Sequence, residues 1–121
     1  MSAGVWAAVA GVGGVGALAR FLIDGAIGRR ARRTFPVGTL VVNLSGAFVL
    51  GLLTGLALTG DALLIAGTAT IGSYTTFSTW MLESQRLVED GDARAAALNV
   101  FGSLVAGVAA AALGKAIGGW L

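Results

Sequence analysis

A chain of 121 residues that is 56% hydrophobic and only 12% charged lacks the polar surface of a water-soluble domain, where roughly 25% of residues are charged. It has no cysteine and no histidine, which excludes disulfides, thiol nucleophiles, Cys/His zinc sites and a histidine proton switch. The net charge is only +2, and four of the eight basic residues (Arg29, Arg30, Arg32, Arg33) crowd one short stretch, which suits a topology signal and not a nucleic-acid surface.

A helix needs about 20 mostly apolar residues to cross a bilayer, and four segments meet that length: 3–23, 37–59, 62–82 with a continuation to 88, and 95–121. The expectation is an all-α integral membrane protein with one four-helix domain over residues 1–121. The first span lacks a basic leader, so it reads as retained and not as a signal peptide. Its Gly11-Val-Gly-Gly-Val-Gly16 matches the dinucleotide fingerprint, but that fingerprint needs a preceding strand and a βαβ unit. Near the end of this span stands Arg20. It either snorkels and pairs with Asp24 or places a fixed cation at the mouth of an anion path.

The loop 24–36 ends in Pro36, which fits the first turn of the second span because its missing N–H costs little there. Within that span Thr39, Asn43 and Gly46 share one helical face. An interhelical hydrogen bond and an amide turned towards an anion path are both consistent with Asn43. A tight Gly60-Asp61 turn leads into the third span.

The third span carries no charge over residues 62–82, yet holds Gly72-Ser-Tyr-Thr-Thr-Phe-Ser-Thr-Trp80. In hydrocarbon each of these hydroxyls must find a partner or line a polar path. After the polar loop 89–94, Asn99, Ser103 and Gly107 recur at i, i+4, i+8 in the last span, as a polar track requires, although Ser103 can also bond back to its own helix. The pairs Gly51-x-x-x-Gly55 and Gly114-x-x-x-Gly118 predict close helix packing, and so small a unit predicts an oligomer. Six basic residues in the first and third loops oppose Lys115 alone, which places both termini outside, with Trp6 and Trp120 at the interfaces.

Three blocks in order, Gly13-Gly-x-Gly-Ala-x-x-Arg-Phe21, Phe35-Pro-x-Gly-Thr-x-x-Val-Asn43 with Gly46, and Thr75-Thr-Phe-Ser-Thr79, resemble the signature of the Fluc (CrcB) fluoride channels over nearly the whole chain. The resemblance implies an antiparallel, dual-topology dimer in the cell membrane. Its two pores would let cytoplasmic fluoride leave passively, and a central structural sodium ion would sit at the dimer interface. It implies that backbone carbonyls at a break in the third helix, at Gly72 and Thr75, hold the sodium. It places the two pore aromatics at Phe77 and Trp80, the pore amide at Asn43, and further pore positions at Ser78, Thr79, Ser103 and Asn99. Arg20, Thr39 and Glu83 take structural or electrostatic positions.

Trp80 stands where the family has a second phenylalanine, and its indole edge and N–H can face an anion. Gly107 stands where the track has a hydroxyl, and Asn99 where an aromatic is common. The arginine bias points to insertion in one orientation and pairing with an oppositely oriented paralogue, where a homodimer would want balanced charge. The competing functions are a small four-helix multidrug or guanidinium exporter, which wants a membrane-embedded carboxylate that the first span lacks before Asp24, and a non-conducting scaffold subunit. No nucleophile–base pair marks an enzyme.

Overall fold

The computed structural model describes residues 2–31 and 35–121, and all its regular elements are helical. Helix α1 is Ala3–Ala31, α2 is Val37–Gly55, α3 spans 60–74, α4 is Ser78–Glu89, and α5 is Ala93–Trp120. Both α3 and α5 contain a π-helical turn, at Leu64–Ala69 and Leu98–Gly102. Such turns add a residue to one helical turn and misalign the backbone ladder locally.

Three helical stretches are long and apolar enough to cross a membrane: Ala3–Gly28, Val37–Gly55 and Ala93–Trp120. The fourth expected span is two helices, α3 and α4, separated at residues 75–77. The expected break at 72–75 therefore lies slightly later, because the helix continues through Tyr74.

Other boundaries also move. At 29 residues α1 is about 43 Å long, so it outruns a hydrocarbon core of about 30 Å and takes up much of the expected loop. Arg29 and Arg30 fall on its last turns, while Arg32 and Arg33 lie outside the described residues. Helix α2 stops at Gly55, short of 59. Ala57 adopts a left-handed φ of 60°, its N–H bonds Thr54 O at 3.0 Å, and Leu58 N bonds Leu53 O at 3.4 Å. That is the Schellman arrangement, which satisfies the last carbonyls and ends the helix. Helix α4 ends the same way, with Gly91 at φ 82°. Asp92 then caps α5 by accepting from Ala95 N at 3.0 Å.

The main packing seam joins α2 to the second half of α5. The two small-residue pairs interlock there. A Cβ at Gly51 or Gly55 would strike the backbone of Ala111 or Lys115, and one at Gly114 or Gly118 the backbone of Phe48 or Leu52. Helix α1 lies against α3 and α2. The buried apolar core is small, consisting of Val42, Ala69, Ile71, Leu87 and Ala96 among the described residues. Many large apolar side chains are exposed, among them Trp6, Phe21, Phe77, Phe101 and Trp120.

Candidate functional site

The site begins where α3 fails to continue. Thr75 is extended (φ −78°, ψ 158°), and Ile71 O accepts both its N–H at 2.9 Å and its hydroxyl at 3.0 Å. The next peptide leaves the helix for a side chain on α2. Thr76 N donates to Asn43 Oδ1 at 2.8 Å, and Asn43 Nδ2 donates to Thr76 O at 2.9 Å. An amide reproduces both halves of the broken ladder here.

This diversion has a consequence for the carbonyls behind it. In an unbroken helix Thr76 N would meet Gly72 O, and Thr79 N would meet Thr75 O. Here Thr76 N is taken by Asn43, and Thr79 N donates to Thr76 Oγ1 at 3.3 Å. The Gly72 and Thr75 carbonyls accept no hydrogen bond from the described residues. A carbonyl left so inside a membrane must find water, a donor or a cation. Among the described residues no group of three or more acidic side chains is placed to hold a metal ion.

Neighbouring elements fix the break. A Cβ on Gly46 would collide with the Thr75 methyl, so glycine admits the close approach. Ser45 Oγ and Tyr74 OH share a hydrogen bond of 3.0 Å beside it. Arg20, left between a pairing with Asp24 and a fixed cation at the mouth of an anion path, donates from Nε to Ser73 O at 3.4 Å. The arginine thus ties α1 to the end of α3.

On the other side of the break lies an open cavity of about 590 Å³. Asn43, Gly72, Thr75, Thr76, Phe77 and Trp80 line it together with Ser103 and Gly107 from α5. Phe77 and Trp80 meet edge to face, with ring centroids 5.8 Å apart and planes at 87°. Phe77 is 70% exposed. The amide of Asn43 has two N–H donors and spends one on Thr76 O, so the second is free for the cavity. The wall thus combines apolar surface with a few donors, next to unbonded carbonyls.

Residues 7–115 match the family described as CrcB-like protein, Camphor Resistance (CrcB). The chain belongs to the CrcB-like family. It is 61% identical over 111 residues to the Fluoride-specific ion channel FluC 2 of Mycolicibacterium paratuberculosis, covering 92% of this chain and 91% of that one. It is 53% identical over 115 residues to the FluC 2 protein of Mycobacterium bovis, covering 95% and 91%. With the Fluoride-specific ion channel FluC 1 of Leifsonia xyli it shares 47% over 117 residues, covering 93% and 85%.

The positions suggested by the CrcB resemblance do not all meet in one place in this structure. Asn43, Gly72, Thr75, Phe77, Trp80 and Ser103 meet at the cavity. Asn99 does not line it. It is 1% exposed and sits behind the wall, where its Nδ2 donates to Ser84 Oγ at 2.8 Å and to Trp80 O at 3.5 Å. The indole N–H of Trp80 donates to Asn99 O at 2.8 Å, so it is not offered to an anion as its residue type suggested. The hydroxyl of Thr76 donates to that of Thr79 at 3.1 Å, which turns Thr79 to the start of α4, and Ser78 is exposed outside the cavity lining.

Thr39 and Glu83 meet elsewhere, where the Thr39 hydroxyl donates to Glu83 Oε1. Asp24 lies close by, with its carboxylate over Gly38. Two contributors were not singled out in the sequence. Thr76 acts through its peptide group, which no side-chain pattern announces. Ser84 lies one turn after Trp80, and that i, i+4 spacing was its available signal.

Proposed function

We propose that this chain is a subunit of a fluoride-selective channel of the cell membrane, through which cytoplasmic fluoride leaves passively. The carrying observation is the cavity wall: Asn43, Phe77, Trp80 and Ser103 converge beside a helix break, in a chain whose relatives at 53–61% identity are named fluoride-specific ion channels. Fluoride is small and strongly hydrated, so conduction needs several weak donors in place of water and no trapping charge. Asn43 supplies an amide N–H. Ring edges at Phe77 and Trp80 carry the positive part of the aromatic quadrupole.

A single wall is half of a pore. The cavity is open and Phe77 is largely exposed, which supports a second chain closing it, inserted antiparallel as dual topology requires. The unbonded Gly72 and Thr75 carbonyls support a sodium ion held on the same axis, with a structural role and no trapping of fluoride. The second chain is either another copy or an oppositely oriented paralogue. The loop arginines favour the paralogue, and the numerals in the relatives' names accord with it.

Fluoride efflux from liposomes, read with a fluoride electrode, tests the function. This chain, alone or with a paralogue, releases fluoride and not chloride, and Phe77→Ile abolishes the release. Absence of fluoride flux in both combinations overturns the reading in favour of a scaffold subunit.

A further inference from the structure

We propose that Asn99, seated in the π-helical turn Leu98–Gly102, is the positioning residue that locks Trp80 into the cavity wall and makes a tryptophan workable there. This inference rests on the channel reading only for its flux measurement.

A tryptophan in a membrane pore poses two physical problems. Its N–H needs an acceptor in a dry setting, and its bulk obstructs the path unless one rotamer is held. The π turn solves the first. In an α-helix Asn99 O would accept from Ser103 N, but the π-helical turn at Leu98–Gly102 shifts the ladder from i→i−4 to i→i−5 bonds here. The displaced ladder leaves Asn99 O able to receive the indole N–H at 2.8 Å. Local π-helical turns of this kind commonly occur at functional sites.

The side chain of Asn99 solves the second problem. Its Nδ2 reaches across to α4, donating to Ser84 Oγ at 2.8 Å and to Trp80 O at 3.5 Å. Ser84 Oγ in turn donates to Trp80 O at 2.9 Å. The backbone carrying the indole is therefore clamped to the same residue whose carbonyl holds the indole N–H. Three bonds converge on one tryptophan from one buried asparagine and one serine, and Phe77 meets its ring edge to face. Asn99 also reaches forward, since Ser103 on the cavity wall donates to its Oδ1 at 3.4 Å. The network occupies the indole N–H and restrains the ring, whose apolar part then faces the cavity.

The test uses the full-length protein with Trp6→Phe and Trp120→Phe, which leaves Trp80 as the sole tryptophan. Asn99→Ala lowers the steady-state fluorescence anisotropy of Trp80, Ser84→Ala lowers it less, and Ser78→Ala on the exposed face leaves it unchanged. Fluoride efflux is then compared in two backgrounds. Asn99→Ala reduces efflux by about tenfold with Trp80 present and by less than about twofold in the Trp80→Phe protein, the non-additivity expected of residues sharing one network. With phenylalanine there is no indole N–H to seat.

Unchanged anisotropy in folded Asn99→Ala or, should that variant not fold, in Ser84→Ala overturns the proposal. So does an equal loss of efflux in both backgrounds. If the parent protein conducts nothing either alone or with a paralogue, the channel reading falls, while the anisotropy still decides the role of Asn99.

Discussion

Asn43 stands in for a stretch of helix with a single side chain. Its amide bonds both the N–H and the C=O of Thr76, at 2.8 and 2.9 Å, and this releases the carbonyls one turn back. Asn43→Ala leaves that peptide with two unmet polar groups, at about 1–3 kcal/mol each. We expect fluoride efflux to fall by about tenfold or more, since each 1.4 kcal/mol is about tenfold. Asn43→Asp keeps the acceptor for Thr76 N but loses the donor for Thr76 O and adds a negative charge beside the cavity. Its efflux should fall below that of the alanine variant. Wild-type efflux from Asn43→Ala would remove the amide from the mechanism.

Helix α2 and the second half of α5 approach as closely as their backbones allow, and the glycines in the seam are spaced for it. Gly114→Ala sets a methyl against the Phe48 carbonyl, so the helices must separate. Overpacking of this kind costs about 1–3 kcal/mol and should lower the thermal unfolding midpoint in detergent. Gly107→Ala is the contrasting case on the same helix, because a Cβ there meets nothing within 4 Å. Its midpoint should stay the same or rise, since alanine favours helix over glycine by roughly 1 kcal/mol. Equal destabilisation by the two changes would mean that backbone contact is not what the seam glycines provide. The π turns show the opposite use of an element: α5 gives up ladder regularity at Leu98–Gly102 and gains an acceptor for another helix.

The helices of this chain bury little of their apolar surface against one another. Only 11% of the most apolar window of Ala93–Trp120 and 6% of that of Ala3–Gly28 is buried, against 28% for Val37–Gly55. Helix α2 is therefore the inner post, and the other helices turn more of their apolar surface outward. The loop arginines predict which way each chain enters. Tagging both termini of the chain expressed alone and probing their accessibility should find them on one side, opposite the arginine-bearing loops. An even split between the two sides would sink the paralogue pairing and leave a homodimer.

Composition and spacing alone determined the helical class, three of the four expected spans and the polar interruption in the third apolar segment. Each of these depends on residue type along the chain, and a bilayer leaves few alternatives for apolar segments of that length. The glycine pairs were legible for the same reason, since a missing side chain at helical spacing has one ready use. Other decisions belonged to the tertiary structure. The break falls at residues 75–77 because Asn43 captures the Thr76 peptide from another helix, and no local signal in 72–80 encodes where that amide arrives. Asn99 and Ser103 read as one polar stripe, yet only Ser103 reaches the cavity. The π turn and the bonds to Ser84 and Trp80 place Asn99 behind it. Spacing along one helix says which residues share a face; the neighbouring helix decides what that face touches.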